Sequence, residues 1–155
     1  MITTTSADGT NVVAVDEGQG PVILVLHPGM DDGRSWGKVA ARLAPRFRVV
    51  RPHRRQYRLD IATGSPSTIA QEVDDVQAID QLGVRLDVYA RIEVPTVLLG
   101  GDRSPAHLGE RLDALARALP RAEKVVLRGQ GHGANQRAPG EVARIIETLA
   151  DKVLR

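Results

Sequence analysis

A histidine framed by glycines, in Gly129-Gln130-Gly131-His132-Gly133, is the residue of this sequence best suited to chemistry. Imidazole titrates near neutral pH, so it can take or give a proton where carboxylates and amines cannot. It follows a short apolar run. Three other apolar runs also end in chemically capable groups: His27-Pro28-Gly29-Met30 after "PVILVL", His53-Arg54-Arg55 after "FRVVRP", and Gly101-Asp102-Arg103-Ser104 after "PTVLLG". Asp102 can orient His132 by accepting its Nδ1–H, as the acid of a catalytic triad does; alternatively it is a turn-forming aspartate. Ser104 followed by Pro105 reads as a helix cap with proline at the first helical position, rather than as a nucleophile. His27-Pro28-Gly29 offers either an anion or oxyanion site ahead of a helix, or a plain strand-to-helix turn capped by Asp31 or Asp32. The segment "RPHRRQYR" (51–58) gathers Arg51, Arg54, Arg55 and Arg58 around Tyr57. No second basic stripe supports a nucleic-acid surface, so it reads as a solvated loop, with a small anionic ligand group as the other option. Nothing has the spacing of a metal site, and neither a phosphate-binding Walker loop nor G-x-G-x-x-G after a strand occurs, so neither metal nor cofactor is expected.

These groups need elements to hold them. Thr- and Val-rich runs on either side of Ala7-Asp8-Gly9 predict an N-terminal hairpin. The continuous apolar runs 21–27 and 95–101 predict strands buried on both faces, with further strands at 47–52 and 124–129. Helical spacing places Trp36, Val39, Ala40 and Leu43 on one stripe within 35–45. It does the same for Ile69, Val73, Val76 and Ile79 within 67–83, where Thr68 and Gln71 form a capping box. Leu108, Leu112, Leu115 and Leu119 line 104–120, a helix in which His107 is a surface residue, and Val142, Ile145, Ile146, Leu149 and Val153 line 140–154. The segment 84–94 alternates apolar and polar residues, which fits either a half-exposed strand or a short helix with an extended lead-in. A hairpin followed by strand–helix units predicts an α/β fold of three layers, a mostly parallel sheet with helices on both faces. In such a sheet, sites form beyond the carboxyl ends of the strands, where His27, His53, Asp102 and His132 all fall.

The composition sets the outer bounds. A chain of 155 residues that is 42% hydrophobic suits one domain, 1–155. Aromatics are only 3%, so the core rests on Val, Leu, Ile and Ala. A formal charge of +2 gives no reason to expect a nucleic-acid partner. There is no cysteine, so no disulfide or thiolate chemistry. The polar start "MITTTSADGT" lacks the pattern of a signal peptide, and the longest apolar run is far below the roughly 20 residues of a membrane span. A cytoplasmic protein without membrane contact is expected.

Two blocks resemble the α/β-hydrolase superfamily. "GPVILVLHPGMDDGRSWGKVAARLAPRFRVVRPHRRQYR" is similar to the region carrying that family's oxyanion-hole turn. "ARIEVPTVLLGGDRSP" with "VVLRGQGHGANQRAPGEVARIIETLADKVL" is similar to its carboxyl-terminal end. The resemblance implies that His132 is the catalytic histidine, that the Met30 N–H is an oxyanion donor, and that His27 and Gly29 shape the approach to it. The family's acid usually falls two residues after Asp102, where Ser104 stands here. Between these blocks, where the family carries its nucleophile strand, no G-x-S-x-G elbow occurs, so the resemblance implies a shortened member without the nucleophile elbow and cap segment.

Two functions follow. The chain is a hydrolase of a small ester or related carbonyl, with His132 as general base, Asp102 steering it, and an oxyanion loop at His27, Gly29 and Met30. Alternatively it is a non-catalytic remnant or truncated form, a module binding a small molecule or a protein. Without the strand that should flank 21–27, apolar surface is left over, and a homodimer that buries it is expected.

Overall fold

The computed structural model describes residues 1–5, 11–28, 31–53 and 90–154. The predicted hairpin turn, the helix over 67–83, most of 84–94, Gly29, Met30 and the basic segment from Arg54 to Arg58 lie outside these residues. The described chain is an α/β fold. Strands β1 (Ile2–Thr5), β2 (Asn11–Glu17), β3 (Val22–Leu24) and β4 (Arg48–Pro52) precede β5 (Thr96–Gly101) and β6 (Ala122–Leu127). Helix α1 (Gly37–Leu43) follows a 3₁₀ turn at Arg34–Trp36; then come α2 (Ala106–Ala118), α3 (Ala134–Arg137) and α4 (Pro139–Val153).

The residues group into two compact units, Met1–Ala62 with Gly133–Arg155, and Thr63–His132. In the first, the strands run in the order β1-β2-β4-β3. β1 pairs antiparallel with β2 from Ile2↔Ala14 to Thr5↔Asn11, as the Thr- and Val-rich hairpin predicts. β2 is antiparallel to β4, and β3 is parallel to β4. The alternation along β4 buries Val49 and Arg51 beside Phe47, while Arg48 points outward. Val39, Ala40 and Leu43 of α1 are at most 1% exposed, so the predicted stripe is this unit's core, joined by Val142 and Ala143 of α4. Trp36 belongs to the 3₁₀ turn rather than to the helix proper.

β3 departs from its expectation. The hydrogen-bonded strand is three residues long, and Val22, Leu24 and Leu26 are 61%, 57% and 66% exposed. Only the alternate positions Val25 and His27 are buried, so the run is apolar on both faces but covered on one.

In the second unit, β5 and β6 pair in parallel from Thr96↔Ala122 to Gly101↔Leu127, and α2 packs on both. β5 is half-buried along its whole length rather than fully buried. Gly100 allows α2 to approach, because a Cβ there would meet Leu112 Cδ1 at 2.6 Å. Ser104 does not cap α2. The helix begins at Ala106 with extended Pro105 in the cap position and no side-chain cap bond. Pro105 separates Ser104 from the first turn, and the Ser104 N–H donates to Gly101 O at 3.1 Å in a turn instead.

Candidate active site

The second unit builds its site from two turns at the carboxyl ends of neighbouring parallel strands. β5 ends at Gly101 and runs into Asp102-Arg103-Ser104; β6 ends at Leu127 and runs into Arg128-Gly129-Gln130-Gly131-His132. Backbone bonds lock the turns together. Asp102 N–H donates to Leu127 O at 3.2 Å and Arg103 N–H donates to Gln130 O at 2.9 Å. Gly101 makes this possible, because a Cβ there would collide with Gln130 O and the Gln130 carbonyl carbon. Gly129 takes a left-handed conformation at φ 71°, which glycine adopts without strain. The two turns that carry Asp102 and His132 are therefore held side by side.

The side chains do not meet. Asp102 is exposed and its Oδ1 accepts the Gly129 N–H at 2.7 Å. His132 is exposed, and no hydrogen bond joins its imidazole to Asp102 among the described residues. Asp102 thus closes the turn that leads to His132, the turn-forming role weighed against the triad role.

A second constellation lies in the first unit, where β3 and β4 end. His27 is 2% exposed, and its Nδ1 lies 2.9 Å from Pro28 O. Gly33, at φ 88°, sits against this ring: a Cβ there would lie 3.6 Å from His27 Cδ2 and 3.7 Å from Arg51 Cβ. Asp31 and Asp32 supply the turn expected of them. Asp31 Oδ1 accepts the Gly33 N–H at 3.0 Å and Asp32 Oδ1 accepts the Arg34 N–H at 3.1 Å. Ser35 Oγ donates to Asp31 Oδ2, and Asn135 Nδ2 donates to Ser35 Oγ at 3.1 Å and to Ser35 O at 3.2 Å. Burial pushes the Asp31 carboxyl up, but the Ser35 hydroxyl, the backbone N–H groups of Gly33 and Ser35, and the nearby His27 charge together hold it below the usual carboxylate range. Gly29 and Met30, the expected oxyanion residues, lie outside the described residues.

Arg51 is the functional-looking residue that the sequence reading assigned to a solvated loop. It is 8% exposed instead. Its Nη1 donates to Gly33 O at 2.9 Å and its Nη2 pairs with Glu17 Oε1, which ties the turn after His27 to β2 and β4. The signal was available: Arg51 shares strand parity with Phe47 and Val49, so it belongs to the buried face. Asn135 carried no comparable signal, because its contact with Ser35 spans 100 residues of sequence, whereas Ser35 is the central serine of Gly33-Arg34-Ser35-Trp36-Gly37. His53 is half-buried at the end of β4, with its N–H on Val13 O at 2.9 Å, and His107 is exposed on α2 as expected.

No family model matches the chain, and no curated protein matches it. Solved structures do. An alpha/beta hydrolase from Sphaerobacter thermophilus DSM 20745 aligns with a TM-score of 0.68 at 19% identity, covering 96% of this chain and 99% of its own. A thermophilic esterase from Thermogutta terrifontis aligns with a TM-score of 0.74 at 15% identity, covering 98% of each chain. An alpha/beta hydrolase enzyme from the metagenome of lagoon sediments at Mar Chica, Morocco, aligns at 0.69 and 14%, covering all of both. The fold is α/β-hydrolase-like. An α/β-hydrolase-like fold accounts for the hairpin entry, the parallel β3–β4 and β5–β6 pairs, and the placement of both constellations at strand ends. Among the described residues, no helix is long and apolar enough to cross a membrane.

Proposed function

We propose that this protein is a hydrolase of a small ester or related carbonyl compound, with His132 as general base. The observation that carries the reading is the interlock of the 101–104 and 129–132 turns through Gly101, Arg103 and Gln130. It concentrates an imidazole and a carboxylate at the ends of two parallel strands in an α/β-hydrolase-like fold, and the similar structures include esterases by name. The one G-x-S-x-G in the sequence, Gly33-Arg34-Ser35-Trp36-Gly37, runs through the 3₁₀ turn, where the Ser35 hydroxyl is engaged by Asp31 and Asn135, so in this reading the attacking group is water. His132 takes a proton from that water as its oxygen bonds to the carbonyl carbon, and returns it to the leaving alkoxide when the tetrahedral species collapses. Asp102 steers the imidazole once a small rotation frees it from Gly129. Amides at Gly29 and Met30, beside His27, are the oxyanion donors in this reading. The substrate is a small molecule, and the protein is cytoplasmic.

Steady-state hydrolysis of p-nitrophenyl acetate tests the proposal. Wild type should exceed buffer, and His132→Ala should lower the rate by about 10²-fold or more, the usual contribution of general-base catalysis. Fluorophosphonate should leave the protein unlabelled, because Ser35, the serine of the one G-x-S-x-G, lies in a 3₁₀ turn with its hydroxyl donating to Asp31. Wild-type turnover indistinguishable from buffer would favour the second reading, a binding module of hydrolase-like fold. That reading draws on the exposed His132 and on the Asp102 carboxylate being engaged by Gly129.

A further inference from the structure

We infer that β3 is a self-association edge: two copies of this chain pair β3 against β3 in antiparallel fashion about a two-fold axis near Leu24, joining their four-stranded sheets into one. The inference does not depend on the hydrolase reading.

β3 pairs with β4 on one side, and among the described residues no strand pairs with it on the other. The direction of its peptide groups follows from the bonds it makes. Arg48 N–H donates to Pro21 O at 3.0 Å and Val25 N–H donates to Val50 O at 2.9 Å, in the register Ile23↔Val49. The groups of Pro21, Ile23 and Val25 therefore face β4, and those of Val22, Leu24 and Leu26 face the opposite edge. The same three residues carry the exposed side chains, at 61%, 57% and 66%. An edge that offers both backbone groups and apolar side chains is a template for another strand.

Natural edges are usually guarded by charge, and this one is not. Between Glu17 and Asp31 the sequence contains no Lys, Arg, Asp or Glu, and its one titratable side chain, His27, is buried. On the exposed face, the neighbouring charge is Arg48, beside Val22. It is already neutralised by Asp16, through Nε–Oδ1 at 2.9 Å and Nη2–Oδ2 at 2.7 Å. A second copy is the occupant that matches this chemistry. Antiparallel pairing puts Val22 opposite Leu26 and Leu24 opposite Leu24, all apolar, and brings no unpaired charge to the contact. An isologous contact also consumes both edges at once and closes.

Sedimentation of the full chain across the micromolar range tests this. A dimer of twice 16.7 kDa is expected, with slowed amide exchange at Leu24 and Leu26 as concentration rises. Leu24→Lys sets like charges opposite each other on the axis and should weaken association about a hundred-fold while leaving circular dichroism unchanged. Leu26→Lys, on the same edge, gives the same reading if Leu24→Lys disturbs folding. A monomer throughout the range overturns the inference. So does a dimer that neither lysine weakens, or growth into open-ended assemblies. Protected Leu24 and Leu26 amides in a monomer also overturn it, because the chain would then cover its own edge.

Discussion

Arg51 and Asp31 hold the turn that follows His27, and each makes a distinct prediction. The Arg51 guanidinium sits between the Glu17 carboxylate and Gly33 O in a buried site. Removing one partner of such a pair strands the other, so Arg51→Met should cost about 3 kcal/mol in urea unfolding, at the low end for buried pairs because Glu17 keeps some solvent. Glu17→Gln added to Arg51→Met should cost little more; full additivity of the two changes would show that they do not interact. Asp31 sets the acid limb. Its folded pKa is lowered, so its stabilising effect is complete above the unfolded value of about 3.9 and is lost as pH falls through the folded value. Below about pH 4, wild type should lose stability more steeply than Asp31→Asn; parallel acid-unfolding curves would remove Asp31 from that account. The strand-end positions of His27, Asp102 and His132 were legible in sequence, because each follows an apolar run. Their partners were not. Glu17 and Arg51 meet across a sheet, and hydrogen bonds between residues 34 positions apart leave no local pattern.

At the scale of elements, periodicity located α1, α2, α4 and the strands, and packing then decided their details. Leu43 is 0% exposed beneath α4, so Leu43→Ala should cost about 2–5 kcal/mol by thermal or urea unfolding. Ser104 shows where local reasoning overreached. Ser-Pro ahead of an apolar-periodic segment reads as cap and first residue, but Pro105 remains extended at φ −53° and ψ 141° and itself takes the cap position. With no cap bond to lose, Ser104→Ala should change stability by less than about 0.5 kcal/mol. A loss near 1 kcal/mol would restore the cap. Gly101 is the converse case. Its small size was visible in "LLGGD", but the reason for it, contact with the Gln130 carbonyl, belongs to a turn near the far end of the unit. The continuous run 21–27 could not reveal which of its faces is covered, because apolar residues occupy both parities. Only the register with β4 separates Val25 from Leu24.

At the scale of the whole molecule, the α/β order and the hydrolase-like likeness were both readable, since motif order survives where identity falls to 19% or less. The grouping into two units was not readable, because composition does not change at residue 62 or 133. One domain, 1–155, is the expectation, and chain connectivity supplies a physical reason for it. The chain leaves the first unit once and returns to it once, so residues 63–132 are an insertion tied at both ends. Helix α4, which completes the first core through Val142, is reached only after the second unit has been traversed. Forming that core thus closes a long loop, and its entropic cost falls if the insertion is already folded. Unfolding of the insertion raises that cost again, which couples the two. Calorimetry of the Leu24→Lys chain, where association does not enter, should therefore show one transition. Its enthalpy should be about 110 kcal/mol near 60 °C for 155 residues, with the calorimetric and van't Hoff values equal. Two resolved transitions, or a van't Hoff enthalpy near half the calorimetric one, would show that the units melt separately and that the insertion is a domain of its own.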